Sequence, residues 1–516
     1  MPPTMRTAGI VVASAAAGLL AFLLTRTSLT DDAYITLTYA RNLAVHGEWG
    51  IIPDAAANSA TSPLNVLLLA LATLLTRLVG DAQPILALGV VTVAATAALG
   101  WAWARMAARL RFGTPVALLG VAVVVTNPFV LSAIGLEVLL VPAVLAWLAA
   151  ATVERRPVVF GVAAGVAILV RLDLIVFVLV MVAVAGARAL GRGWWRALVA
   201  MIAVALPWYL LSWLTFGSAV PDTLVIKQSQ DGLFDPWTYA SGLGLYLRSA
   251  DVAVLASLVP AALGVVALLV AVVVRLTVTR RPALGAAAGL GAGGVAYFLV
   301  YTALGVGPYH WYYAPPLTSL AMCGVLAAGA WWGLRRAHPE QQEDGAGQQE
   351  DRTDRRPAGA TGAAAVMAVM AVVVAATVVV EVGRGVPWRS PVIFGNWASA
   401  EDYARVGEEI GRIVGDDVVR SPGEIGTLAY FCECRIVDPF SDRGRIPELL
   451  DERLADSGTV GKALLEFNYL WFDRDREPLT PRYRILYDRG LGHGPNTWNV
   501  HSDAKGTGHF RLVRIM

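Results

Sequence analysis

Lysine is nearly missing from this 516-residue chain: Lys227, Lys462 and Lys505 stand among 41 basic residues, and the rest are arginine. With the heavy load of alanine and glycine, that bias points to a high-GC bacterial genome. Net charge is only +2, which excludes a basic surface for nucleic acid. Three cysteines are too few for a disulfide framework. Cys323 lies in an apolar run, while Cys432 and Cys434 are two residues apart. On a strand that spacing puts both thiols on one side, a poor geometry for bonding each other, so the pair reads as structural or incidental. There is no Walker A loop, which removes support for nucleotide hydrolysis. No H-x-x-x-H or Cys/His cluster proposes a catalytic metal, so a divalent cofactor has no support in the sequence.

What the chain has in abundance is apolar length. It is 56% hydrophobic, which fits a polytopic membrane protein and not a soluble one. Apolar runs fall at 8–26, 63–79, 84–104, 115–134, 138–153, 158–170, 172–187, 197–215, 250–274, 283–303, 311–334 and 361–382. Most approach the ~20 residues that cross a bilayer core. The first run is too long, and too poorly followed by a cleavage site, for a secretory signal. It reads as an uncleaved helix with a cytoplasmic N-terminus.

Arginine sets the orientation, because positively charged short loops stay cytoplasmic. The clusters are Arg105/Arg109/Arg111, Arg155/Arg156, Arg188/Arg192/Arg196, Arg275/Arg280/Arg281 and Arg335/Arg336 onward to Arg356. If 63–79 crossed, the Arg105–Arg111 cluster would be external, so that run is expected to lie re-entrant or on the surface within a long first external loop, 29–82. Clusters on both flanks of 158–187 require an even number of crossings, two short helices meeting at Arg171-Leu172-Asp173. Charges at such a depth need partners or a watered cavity. The result is about eleven spans. The membrane domain occupies 1–384, with a polar cytoplasmic loop at 335–360 whose core, Glu340–Pro357, reads as disordered. Past Arg384 the composition becomes ordinary, and 385–516 reads as a small extracytoplasmic α/β domain. Its helix is expected over Glu401–Val414. Its strands are expected over Asp416–Arg420, Thr427–Phe431, Arg435–Val437, Arg482–Tyr487 and Phe510–Ile515.

This topology gathers the notable polar groups on the outer side: Asp31, Asp32, Arg41, Asn42 and His46 from the first loop, then Glu137, Arg171, Asp173 and Lys227, and the run Tyr309-His310-Trp311-Tyr312-Tyr313. Convergence from five distant segments argues for a substrate cavity open outward. Lys227 can hold a phosphate as a point charge and Arg171 can add a forked contact. A carboxylate can take a proton from an attacking hydroxyl. Nucleotide sugars are absent outside the membrane, so an activated sugar there would ride on a polyprenyl phosphate. Each residue also has a plainer reading. One of Asp31 and Asp32 can cap the helix starting at Ala33, Arg171 and Asp173 can pin two helices together, and the aromatic run can sit at the membrane interface. Arg41 can pair with the acidic dyad or face water.

The segments Asp31-Asp32-Ala33-Tyr34-Ile35-Thr36, Tyr39-Ala40-Arg41-Asn42-Leu43 and Thr61-Ser62-Pro63-Leu64 resemble the opening of GT-C glycosyltransferases that use polyprenyl-phosphate sugars. Gly135-Leu136-Glu137, Arg171-Leu172-Asp173, Pro221-Asp222-Thr223-Leu224-Val225-Ile226-Lys227, Gly423-Glu424-Ile425-Gly426 and Ile436-Val437-Asp438-Pro439-Phe440 follow in the same order. The nearest subgroup is the actinobacterial arabinofuranosyltransferases, which add terminal arabinose to cell-wall arabinan from a decaprenyl-phosphate donor. The resemblance implies a helical membrane fold whose first external loop carries surface helices and the catalytic Asp. That Asp maps onto Asp31 or Asp32, with Lys227 and Arg171 on the donor phosphate and Arg41, Glu137, Asp173, His310 and Tyr312 around the substrates. The implied partners are the lipid donor, a glycan acceptor of the arabinogalactan type and the bilayer. Two departures stand out: Leu172 where relatives carry Pro, and the His310 segment, which lacks their Gly-Asp and Arg. Competing readings are another lipid-linked sugar such as mannose, a protein acceptor, or a transporter. A transporter would show internal repeats, and none is visible.

Overall fold

Proline begins several of the helices, long and short alike, and it suits the first helical turn because its missing N–H would be unpaired there anyway. The computed structural model describes residues 3–185, 191–229, 233–277, 282–336 and 358–515. Most of the polar loop expected at 335–360, including Glu340–Pro357, lies outside the described residues. The first part runs α1 (Pro3–Thr25), α2 (Asp31–His46), α3 (Pro63–Arg77), α4 (Pro84–Leu110), α5 (Thr114–Val125), α6 (Pro128–Leu131), α7 (Leu140–Glu154), α8 (Pro157–Val170) and α9 (Ile175–Ala185). Proline opens α3, α4 and α8. Helices Trp194–Phe216, Leu243–Thr277, Pro282–Ala303, Ala314–Arg336 and Ala358–Arg384 follow.

Seven helices among the described residues are long and apolar enough to cross a membrane. This is a multi-pass membrane protein. Of the five shorter apolar helices, four coincide with the remaining expected spans, and the fifth is α3. With lipid tails as apolar as the helices, packing depends on close backbone approach. Gly161 on α8 shows this, because a Cβ there would lie 2.1 Å from the Ala197 carbonyl oxygen.

Residues past Arg384 form a five-stranded sheet, β1 (Val419–Arg420), β2 (Ile436–Val437), β3 (Tyr483–Arg489), β4 (Thr497–Ser502) and β5 (Gly506–Arg514), in the order β2-β1-β3-β5-β4. The β2, β1 and β3 pairings are parallel, and those of β5 with β3 and β4 are antiparallel. The helix Ala400–Val414 buries Tyr403, Val406, Ile410 and Val414, a helical stripe facing this domain's core. Its N-cap Ser399 accepts from the Asp402 N–H at 3.2 Å.

Two expectations fail here. Thr427–Phe431 is not a strand but the body of a helix, Gly426–Cys432, and β4 was not foreseen. Cys432 and Cys434 are joined as a disulfide, against the reading that they face a poor bonding geometry. Extended residues two apart would have Cα atoms about 6.6 Å from each other, at the far end of the range a disulfide accepts. Here the helix ends and Glu433 takes the left-handed conformation at φ 52°, drawing the two Cα atoms to 5.0 Å, inside the range a disulfide accepts.

Candidate active site

Asp31 and Asp32 open α2, and the structure sends them to different places. Neither caps α2: its N-cap is Thr30, with no side-chain cap hydrogen bond. The Asp31 carboxylate instead caps the helix Gly426–Cys432. It accepts from the Gly426 N–H at 3.0 Å, the Thr427 N–H at 2.7 Å and the Thr427 hydroxyl at 2.8 Å. Its own N–H donates to Asn396 Oδ1 at 3.0 Å. Gly426 is required by proximity, because a Cβ there would lie 2.0 Å from the Asp31 carbonyl oxygen. Burial pushes the Asp31 carboxyl up from its ordinary range despite these donors. Asp31 is thus a docking residue between α2 and the C-terminal domain.

Asp32 points the other way, into a small polar pocket of about 60 Å³. The pocket is shared with Thr36, Tyr39, Ser59, Thr61, Glu137, Lys227 and Trp311. Burial lifts Asp32 to about 7, the Lys227 charge pulls it down, and Asp31 and Glu137 push it up. A half-buried carboxylate that titrates near neutrality, facing a cavity, is poised to exchange a proton.

Lys227 lies on the helix Thr223–Gln228. Its ammonium donates to the Tyr312 hydroxyl at 2.7 Å and sits 4.7, 5.3 and 4.9 Å from the ring centres of Tyr309, Trp311 and Tyr312. Aromatic faces hold a cation without cancelling its charge. The helix is fixed from behind by Asp222, which is buried. Asp222 accepts from Arg443 Nε of the C-terminal domain at 2.8 Å and from the Ser218 hydroxyl at 2.9 Å. Arg443 also donates to the Phe216 carbonyl at 2.7 Å. Neither Arg443 nor the docking role of Asp222 was foreseen, since pairing across 221 residues leaves no local signal.

Thr61, Thr223 and Lys227 also line a second cavity of about 600 Å³, whose walls include Ile175, Val176, Leu224, Val300, Leu304 and Val306 beside Arg171, Asp173, Tyr301 and Tyr312. Lys227 therefore stands where a polar pocket meets a larger, mainly apolar groove. A further cavity of about 630 Å³ between α3, α4, α7 and α8 is walled by apolar side chains and offers nothing to a phosphate.

The other candidates divide. Arg171 is buried with its guanidinium over the Tyr312 ring. It donates to Glu137 at 2.6 Å, to both Asp173 oxygens at 3.1 and 2.5 Å, and to the Tyr301 hydroxyl at 2.8 Å. Asp173 also accepts from Tyr297 and Tyr301. Every nitrogen of the guanidinium is engaged, so the forked phosphate contact expected of Arg171 is replaced by an ion-pair network pinning the α8–α9 turn. Glu137 and Asp173 reach the cavities, but as members of that network. Arg41 does not join the site. It pairs with Glu433 at 2.6 Å and donates to the Tyr430 carbonyl at 2.9 Å. His310 is buried against Phe394 and Tyr246, outside both cavities. Tyr312 does line the groove. Among the described residues no group of three His, Cys, Asp or Glu side chains is placed to hold a metal ion.

No protein-family model matches the chain, and no curated protein matches it significantly. Solved structures do. One is ArnT from Cupriavidus metallidurans bound to undecaprenyl phosphate, similar at TM-score 0.51 and 15% identity over 97% of this chain and 98% of that one. ArnT in the apo state aligns at 0.51 and 15% over 99% and 98%. This chain has the GT-C fold. The mycobacterial arabinofuranosyltransferase AftD aligns at 0.50 and 15% over 97% of this chain and 39% of that chain. Within the GT-C fold the Asp32 pocket and the Lys227 groove lie where the membrane helices meet the C-terminal domain.

Proposed function

We propose that this protein is a membrane glycosyltransferase that moves a sugar from a polyprenyl phosphate to a hydroxyl of a cell-envelope glycan on the outer side of the membrane, with arabinofuranose as the sugar. The observation that carries this reading is the junction at Lys227. A small polar pocket that holds Asp32 and a larger, mainly apolar groove of about 600 Å³ both take Lys227 as a wall there. The donor's phosphate rests at Lys227, its chain in the groove and its sugar over Asp32. The acceptor oxygen attacks the anomeric carbon and the carbon–oxygen bond to phosphate breaks. The bonding pair leaves on the phosphate, and the hydroxyl proton passes to Asp32. A positioned base of this kind accelerates transfer by roughly 10²–10⁴-fold.

Arabinofuranose is supported by the motif resemblance and by the likeness to AftD. Placement of the C-terminal domain on the extracytoplasmic side is supported by the arginine distribution. The test is transfer by the purified protein in nanodiscs, supplied with decaprenyl-phosphoryl arabinose and, separately, mannose and other lipid-phosphate sugars. Transfer of arabinose alone supports the full reading. Transfer of another sugar replaces arabinofuranose and keeps the class. No transfer of any lipid-linked sugar, with movement of lipid between leaflets instead, overturns it in favour of a transporter.

A further inference from the structure

The charges around the large groove are uneven. Arg171 is matched by Glu137 and Asp173, so this network carries no surplus positive charge. Among the described residues Lys227 makes no salt bridge, and its close contacts are aromatic. A third cation lines the same groove: Arg453, from the outer-domain helix Ile446–Asp456. Ile446, Leu450 and Arg453 occupy positions i, i+4 and i+7 of that helix, one stripe of its surface. Ile446 and Leu450 are buried in a cluster with Val225 and Ile226 of the Lys227 helix. The stripe thus carries Arg453 toward the groove beside Gln228 and Lys227. Arg453 makes no side-chain hydrogen bond or ion pair among the described residues, whereas its helix neighbour Asp451 is taken by Arg474.

We propose that Arg453 is a second phosphate-binding residue of this site, supplied by the outer domain and matched to the lipid monophosphate that leaves. This rests on the function proposed above. The donor is a phosphodiester with one negative charge, which Lys227 offsets. As the sugar–oxygen bond breaks, its electron pair stays on the phosphate oxygen. The departing polyprenyl phosphate then carries up to two negative charges, while the acceptor's proton goes to Asp32. The second charge appears only as the bond breaks, so a cation that meets it acts on the transition state and product more than on the bound donor. Arginine suits the role because its fork can take two phosphate oxygens.

The test compares wild type, Arg453→Ala, Arg453→Lys and Lys227→Met as full chains in nanodiscs, with undecaprenyl phosphate and undecaprenol as probes. Arg453→Ala is expected to weaken undecaprenyl phosphate binding roughly tenfold or more, the scale of one charge-assisted contact. Undecaprenol binding stays unchanged and Arg453→Lys recovers part of the loss. In the transfer assay kcat falls while the donor KM moves little. If Arg453→Ala holds undecaprenyl phosphate as tightly as wild type while Lys227→Met does not, the inference on Arg453 fails and the proposed function stands. An equal loss for undecaprenol also overturns it, since the residue would then be acting on packing. If wild type binds no lipid phosphate at all, the functional reading falls as well.

Discussion

Asp31 and Asp32 share a helical turn, yet their surroundings differ in every respect that matters to a carboxylate. Asp31 is buried under three donors from one short helix. Asp32 faces a pocket, with Lys227 across it, and titrates near 7. The first arrangement holds two parts of the chain together. The second can gain and lose a proton. The same division separates the cations: Arg171 and Arg443 are consumed by carboxylates, while Lys227 keeps its charge among aromatic rings. The lesson is that residue type and spacing nominate a charge for chemistry, and the partners it finds decide whether it remains available.

The sharpest break in the comparison is expected from Asp32→Asn, which should lower transfer by roughly 10²–10⁴-fold with the thermal midpoint unchanged. Equal loss of folding and activity would put Asp32 among the docking residues instead. Next, Arg443→Ala leaves Asp222 buried without its partner and should cost about 3–5 kcal/mol in stability, measured by denaturation in detergent. Asp31→Ala strands buried donors at the head of the Gly426–Cys432 helix. It should cost about 1–3 kcal/mol, with a smaller loss of activity than Asp32→Asn; a larger one would exchange the two roles. The smallest effect is on pH. Asp32 must be ionised to accept a proton, so transfer should rise with pH through about 7 and level off above it. Because Lys227 pulls that value down, residual transfer in Lys227→Met should need a higher pH to reach its plateau. A limb that stays in place would uncouple the two residues.

Much of the fold could be read in advance because apolar length is a one-dimensional property. The runs, their arginine flanks and the change of composition past Arg384 need no knowledge of contacts. The Ala400–Val414 helix was legible by its periodicity. The Gly426–Cys432 helix was not, because seven residues give too short a period to separate from a strand. The outcome for Cys432 and Cys434 followed from that, since the turn at Glu433 brings their Cα atoms closer than a strand would.

For the site, the sequence by itself determined the inventory: two adjacent acids after the first helix, a lone lysine late in the membrane domain, and an arginine between two short spans. Tertiary structure alone decided how that inventory is spent. Asp31 meets Gly426 across 395 positions, Asp222 meets Arg443 across 221, and Arg171 meets Glu137 across 34. A carboxylate's chemistry depends on burial and on the charges within a few ångströms. Those distances are set only when remote helices pack, which is why two neighbouring aspartates could be named together from sequence and told apart only in the fold.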